Sequence, residues 1–344
     1  MSVLSVKNLS VSYHNNKIIS DLNLEVQHGE IVALFGASGG GKSTILKAVA
    51  GLLEQVSGAI RIGDKQVLSA DTNMPAELRH TGLIFQDYAL FPHLTVAQNI
   101  TFGLQKLSRK QQQQKVTDML KLIKMAEYAQ HYPHQLSGGQ QQRIAIVRAL
   151  ACEPTILLFD EAFSNIDPQL RFELITDIRN LLKSQKISAL FVTHNQDEAF
   201  AFCDRIAVVN QGRIEQVDTP EQLFNAPATS YIAEFLGEGL WLKSEIKSAK
   251  LLSTPFGDAH YAGGQNLAEF IGKTALIYLR PHQFSLTTDS NSELQVHNER
   301  FIGECYESIL QWQQQSIKVK AASSFLHKTV SVKINAQINK VFFE

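Results

Sequence analysis

A continuous apolar run, Ile31-Val-Ala-Leu-Phe35, leads into Gly36-Ala-Ser-Gly-Gly-Gly41-Lys42-Ser43 and then into the helix-prone stretch Ser43-Thr-Ile-Leu-Lys-Ala-Val-Ala-Gly-Leu-Leu53. No other feature restricts the fold as much. An unbroken apolar strand calls for cover on both faces, as in a parallel sheet. The glycine turn and the helix after it then open a doubly wound α/β unit. The octapeptide fits G-x-x-x-x-G-K-[ST] and sits where that pattern must, between strand and helix. By residue usage it arises by chance in roughly one chain in a hundred of this length. Glycines let successive N–H groups turn inward around phosphates, and the helix N-terminus adds positive potential. The pattern assigns Gly36, Ala37, Ser38, Gly39, Gly40, Gly41, Lys42, Ser43 and Thr44 to nucleotide binding. Lys42 is expected on the β- and γ-phosphates, and the Ser43 hydroxyl on Mg2+.

A phosphate loop alone indicates only a nucleoside triphosphate. A second apolar strand, Thr155-Ile-Leu-Leu-Phe-Asp160-Glu161, ends in two carboxylates. Asp160 is placed to hold Mg2+, and Glu161 beside it to polarise a water for in-line attack on the γ-phosphate. Two more apolar strands are read at residues 188–194 and 204–214, the latter with a hairpin turn at Asn210-Gln211-Gly212. Before the phosphate loop, the first 30 residues alternate apolar and polar as half-buried strands do, with turns at Asn15-Asn16 and Gly29. Residues 105–130 are polar and helix-prone. The Gln-rich run at 110–115 reads as a solvated helix face or turn.

The third element is Leu136-Ser-Gly-Gly-Gln140, followed by a helical stretch. Ser137, Gly138, Gly139 and Gln140 form a second phosphate-seeking helix start. With this motif in place, residues 1–235 resemble the ATPase subunit of an ABC transporter, and specifically of an importer. The resemblance implies a P-loop NTPase α/β core with an antiparallel β subdomain, and a helical subdomain at about 87–150. It implies ATP and Mg2+ as ligands. Tyr13 would stack on the adenine. Gln86 would touch Mg2+ and the attacking water. The segment Asp87 to Leu94 would receive a coupling helix of the membrane partner, through Tyr88, Leu90, Phe91 and Leu94. Ser164-Asn165-Ile166-Asp167 matches the loop that crosses between two ATPase subunits, where the usual pattern is Ser-Ala-Leu-Asp. Asp167 would face the neighbouring site. His194 would contact the γ-phosphate and orient Glu161.

The resemblance also implies partners. A second copy would pack head to tail, with ATP between the P-loop of one copy and Ser137-Gly138-Gly139 of the other. Integral membrane permease subunits, and indirectly a substrate-binding protein, would complete the system on the cytoplasmic face of the inner membrane. No run approaches the 18 or so apolar residues that a spanning helix needs, so the pore is expected from another chain.

Beyond about residue 236 helical periodicity fades. Short alternating segments appear, TALIYL, SILQW, SIKVKA, TVSVKI and KVFFE, separated by polar turns. Residues 240–344 are read as a small C-terminal all-β domain, barrel-like or sandwich-like. The resemblance implies that it is OB-like (TOBE-type), with a regulatory or dimerisation role. Arg280-Pro281-His282 resembles the appended domain of importer ATPases for iron, sulfate, molybdate, sugars and polyamines. The junction at Phe235–Gly239 looks most like the ferric-iron subset, which makes ferric iron the expected solute. Lys plus Arg total 32 and Asp plus Glu 33, so no basic excess points to nucleic acid. That weighs against the rival reading of a soluble ABC-type ATPase acting on DNA or ribosomes. A GTPase or small-molecule kinase has no use for Leu136–Gln140. Three scattered cysteines, Cys152, Cys203 and Cys305, fit a reduced compartment rather than a metal site.

Overall fold

A computed structural model describes residues 2–13 and 16–343. The turn expected at Asn15-Asn16 lies partly outside the described residues. The chain divides into two compact units, Met1–Pro220 and Glu221–Glu344.

In chain order the first unit contains β1 (Ser2–Tyr13), β2 (Asn16–Gln27), β3 (Ile31–Phe35), α1 (Lys42–Ala50), β4 (Val56–Ile62), β5 (Lys65–Ser69), β6 (Thr72–Asn73) and β7 (Thr81–Ile84). It continues through α2 (Val96–Thr101), α3 (Arg109–Leu122), α4 (Gly138–Ala151), β8 (Ile156–Asp160), α5 (Pro168–Ser184), β9 (Ala189–Thr193), α6 (Gln196–Phe202), β10 (Arg205–Asn210) and β11 (Arg213–Asp218). The alternating N-terminal residues form an antiparallel sheet of order β2-β1-β4-β5-β6. The apolar runs form a six-stranded sheet of order β11-β10-β3-β9-β8-β7, parallel from β10 to β7. All five residues of β3 and of β9 are buried, as strands covered on both faces must be. Only β11 runs antiparallel. It is joined to β10 by a two-residue turn in which Gln211 and Gly212 both have positive φ, 47° and 75°. Two positive φ angles match the twist of the flanking strands.

The topology brings the candidate site residues to one edge of the parallel sheet. Loops leaving the C-terminal ends of β3, β9, β8 and β7, neighbours in that order, carry Gly36–Gly41, His194, Glu161 and Gln86 respectively. In doubly wound sheets ligands bind outside the carboxyl ends of the strands. Beneath that edge Phe159, Phe163, Phe191 and Phe202 are fully buried, with ring centroids 5.1–6.4 Å apart. They clamp β8, β9 and α6 with oriented aromatic contacts.

A separate apolar cluster joins α2, α3 and α4 through Val96, Ile100, Val116, Leu120, Ile144 and Val147. The Gln-rich run lies within α3 and is mostly exposed, a solvated face. Ser108 starts that helix with a reciprocal cap: Gln111 N–H donates to Ser108 Oγ, and Ser108 N–H to Gln111 Oε1.

The second unit is built on strands, in sheets of four, three and two. Its core includes Leu242, Ile246, Leu252, Ile277, Val319 and Val330. TALIYL is the strand Thr274–Leu279, and SILQW, SIKVKA and TVSVKI fall in or on the strands Tyr306–Trp312, Gln315–Ala321 and Val330–Ile334. Among the described residues of KVFFE there is no strand, and Phe342 pairs with Leu276 in an isolated bridge. The unit begins at Glu221, whereas the fading periodicity points to a junction at 236–240. Short helices fill the difference, and specific contacts tie them to the strands. Arg280 stacks its guanidinium 3.9 Å from the Phe224 ring centroid, and Trp241 Nε1 donates to Glu234 Oε1 at 2.8 Å. The Arg280–Phe224 contact joins residues far apart in the chain, so periodicity does not report it.

Candidate active site

Gly36 directly follows β3, where an ideal Cβ would lie 2.1 Å from the Val209 carbonyl oxygen. Only glycine lets the loop pass that close to β10. Gly41, at φ 99°, precedes α1 with no side-chain cap. The first-turn N–H groups of α1 are therefore left for an external acceptor, which suits a phosphate. Lys42 is 5% exposed, and its Nζ donates to the carbonyls of Gly36 at 2.9 Å and Ala37 at 2.8 Å. Burial pulls its pKa below the ordinary lysine value, against the opposing pull of the Glu161 and Asp160 carboxylates. A poorly solvated ammonium held at the mouth of a glycine loop is a strong anion anchor. Ala37, Ser38 and Gly39 are exposed along the loop, and Thr44 is half-buried on α1.

Ser43 Oγ donates to Asp160 Oδ1 at 2.8 Å, across 117 residues of sequence. This puts a hydroxyl and a carboxylate oxygen beside the glycine loop. Among the described residues no cluster of three or more His, Cys, Asp or Glu side chains could hold a metal ion unaided. One hydroxyl plus one carboxylate fits Mg2+, which keeps waters and takes its remaining ligands from substrate phosphates. Glu161 follows with φ 48°, a left-handed conformation uncommon for a non-glycine residue, and its N–H donates to Val192 O at 3.1 Å. His194 Nδ1 lies 3.2 Å from Glu161 Oε1.

The structure thus gathers Lys42, Ser43, Asp160, Glu161 and His194 at one sheet edge. Gln86 is exposed, two residues beyond the end of β7, and its side chain makes no hydrogen bond that joins it to this group. Tyr13 is exposed at the end of β1. Ser137, Gly138, Gly139 and Gln140 start α4 elsewhere. Gln140 N–H donates to Ser137 Oγ at 3.4 Å and Ser137 N–H to Gln140 Oε1 at 2.9 Å. This capping box leaves Gly138 and Gly139 as uncrowded helix-start amides. They line, with Asn165 and Asp167, a cavity of about 420 Å³ that no residue of Gly36–Thr44 enters. Asp167 caps α5 by accepting from Gln169 N–H at 2.8 Å. The nucleotide-binding candidates therefore fall into two groups within one chain.

Three polar elements carry no motif of their own. Glu198 is 2% exposed, accepts from Thr193 Oγ1 at 2.8 Å and pairs with Arg171 Nη1 at 3.2 Å. Arg171 also donates to the carbonyls of Ser164 and Ile166. The pair ties the 164–167 loop to the residue before His194. Asn99, fully buried, accepts from Phe91 N–H and donates to the carbonyls of Phe91, Leu94 and Thr95, fixing the segment after Gln86. Arg148 donates to the Ala89 and Tyr88 carbonyls, whose residues have φ 46° and 63°. Tyr88, expected at a partner surface, is buried at 6% exposure, while Leu90, Phe91 and Leu94 are half-buried. Side-chain hydrogen bonds to other elements leave no periodic signal, so these three pass unnoticed in the sequence.

Residues 19–164 match the ABC transporter family model. The chain is 42% identical over 270 residues to the sulfate/thiosulfate import ATP-binding protein CysA of Photorhabdus laumondii subsp. laumondii, covering 77% of this chain and 71% of that protein. It is 42% identical over 238 residues to the spermidine/putrescine import ATP-binding protein PotA of Vibrio cholerae, covering 69% of this chain and 62% of that protein. A dimeric post-hydrolysis structure of the ATP-binding cassette MJ0796 bound to ADP and Pi superposes with TM-score 0.54 at 29% identity, over 63% of this chain and 98% of that chain. The ferric-iron solute expected from the 235–239 junction finds no support in these relatives, whose names specify sulfate, thiosulfate or polyamines.

Proposed function

Because the chain belongs to the ABC transporter ATP-binding subunits of importer type, an ATP-hydrolysing class, we propose that it powers uptake of sulfate or thiosulfate through a separate permease. The observation that carries the catalytic part is the convergence of Lys42, Ser43-Asp160 and Glu161-His194 at the ends of β3, β8 and β9. Lys42 anchors the β- and γ-phosphates. Ser43 and Asp160 are the residues that would hold Mg2+, with Gln86 as a further oxygen donor; the ion, when bound, neutralises charge on the phosphates. Glu161 takes the proton of the attacking water, and His194 fixes the carboxylate and meets the γ-phosphate.

The separation of the two nucleotide-binding groups supports a head-to-tail dimer, in which Ser137–Gln140 and Asp167 of one copy complete the site of the other. MJ0796 is dimeric with ADP and Pi bound, which supports the same reading. Tyr13 is assigned to the adenine. Among the described residues no helix is long and apolar enough to cross a membrane, which supports a peripheral subunit beneath permease chains. The segment 87–94 is the proposed contact with that permease.

The sulfate or thiosulfate assignment follows the CysA relative, and the PotA relative makes a polyamine the second reading. The test is ATPase activity in proteoliposomes holding the chain with the permease and binding protein from its own genome. Stimulation by sulfate or thiosulfate, and not by spermidine or ferric iron, is the expected result. Stimulation by spermidine alone would transfer the assignment to polyamines, and stimulation by ferric iron alone would overturn both readings.

A further inference from the structure

The loop expected to cross between subunits departs from its usual pattern at Asn165, and that departure makes a contact. Asn165 Nδ2 donates to the Gln86 carbonyl oxygen at 3.0 Å, joining segments 79 residues apart. Alanine, which the usual pattern has here, could not make this bond. The same loop is anchored on its other side, where Arg171 donates to the Ser164 and Ile166 carbonyls and pairs with the buried Glu198. Asn165 therefore sits between an anchored loop and the exposed residue Gln86, whose backbone it holds. The polypeptide beyond Gln86 is under conformational constraint, since Tyr88 and Ala89 both have positive φ and are held by Arg148.

We infer that Asn165 is a positioning residue: it sets the Gln86 backbone, and so the aim of the Gln86 side chain, from the loop that faces the neighbouring copy. Closure of two copies around ATP is thereby coupled to Gln86 through one hydrogen bond. This rests on the proposed role of Gln86 in hydrolysis.

The test is a double-mutant cycle on ATPase kcat of the full-length protein, using Asn165→Ala, Asn165→Asp, Gln86→Ala and the double variants. Loss of one such hydrogen bond is expected to lower kcat roughly 2- to 10-fold. Asn165→Asp matches asparagine in shape but, ionised, has no proton to donate, so it should be as slow as Asn165→Ala. In the Gln86→Ala background neither substitution should change the rate further. An equal fall in both backgrounds overturns the inference, as does wild-type activity in Asn165→Asp, which would show that the side chain only fills space. If Gln86→Ala itself turns over at the wild-type rate, the role of Gln86 fails as well, and that outcome is read separately from the Asn165 rates.

Discussion

His194 Nδ1 and Glu161 Oε1 lie 3.2 Å apart although 33 residues separate them in the chain. Adjacent parallel strands create the meeting, because β8 and β9 end at the same edge with Asp160 opposite Val192. A carboxylate fixed by an imidazole is aimed as well as available. Replacing Glu161 by Gln keeps the shape and removes the basic oxygen pair. The rate of ATP hydrolysis should fall about 10²- to 10⁴-fold, while nucleotide affinity is retained. Single-turnover ATPase assays and equilibrium binding of a fluorescent ATP analogue check the two halves. Light scattering should show ATP-trapped dimers in the same variant. Turnover at the wild-type rate would remove Glu161 as the base.

Two glycines of the phosphate loop should respond differently to alanine. At Gly36 the added methyl carbon would lie 2.1 Å from the Val209 carbonyl, a backbone atom that cannot step aside. At Gly39, φ is 80° and nothing lies within 4 Å of the added carbon. Gly36→Ala should displace β3 against β10, abolish measurable ATP binding and cost about 1–3 kcal/mol of stability. Gly39→Ala meets only the left-handed backbone penalty, about 1–2 kcal/mol. Thermal denaturation with nucleotide titration separates them; similar losses of ATP binding in both would mean that the Val209 contact is not the reason for glycine at 36.

The strands, and the residues that the structure gathers at their ends, are encoded locally. The apolar run of β3, the glycines after it, and the carboxylates ending β8 are contiguous, and their spacing carries their chemistry. Even the Leu136–Gln140 motif has a local physical reason, since Ser137 and Gln140 cap the helix between whose first residues the glycines lie. Contacts across elements were not legible. Nothing local shows that Glu198 would be buried on Thr193 and Arg171, that Tyr88 would turn inward, or that Arg280 would gather the helices near residues 220–235. The alternation in KVFFE has the pattern of a strand, but pairing partners come only from the fold, and among the described residues they amount to the Leu276–Phe342 bridge.

Glu198 and Arg171 form a buried ion pair with side chains 3% and 17% exposed. Burial pushes the Glu198 pKa up, and the Thr193 hydroxyl and Arg171 pull it back only in part. Removing one partner strands the other charge. Glu198→Ala should destabilise the protein by about 3–5 kcal/mol in urea denaturation. Glu198→Gln, which keeps an acceptor for Thr193, should lose less. Because the pair links the 164–167 loop to the end of β9, Glu198→Gln should also lower kcat without a matching change in KM for ATP. An Ala variant as stable as wild type would show that the pair is dispensable.

Asp204 offers a test through pH. It lies just before β10 and accepts from Arg179 Nη2 at 2.6 Å, Lys183 Nζ at 2.9 Å and Ile31 N–H at 2.9 Å, binding α5 to the first residue of β3. Burial disfavours its charge, yet the hydrogen bonds from Lys183, Ile31 and Arg179 more than offset this, and its pKa is lowered. The folded protein therefore binds the Asp204 proton less readily than the unfolded chain, whose value is about 3.9. The resulting stability is present above that unfolded value and is lost as pH falls through the lower folded value. Asp204→Asn should cost about 1.5–3 kcal/mol at neutral pH, because two cationic donors lose their charged acceptor. The gap between wild type and variant should then narrow as pH drops below about 4. Urea midpoints measured from pH 7 down to pH 3 check this: a gap that stays constant over that range would mean that shape, and not the carboxylate charge, makes Asp204 matter.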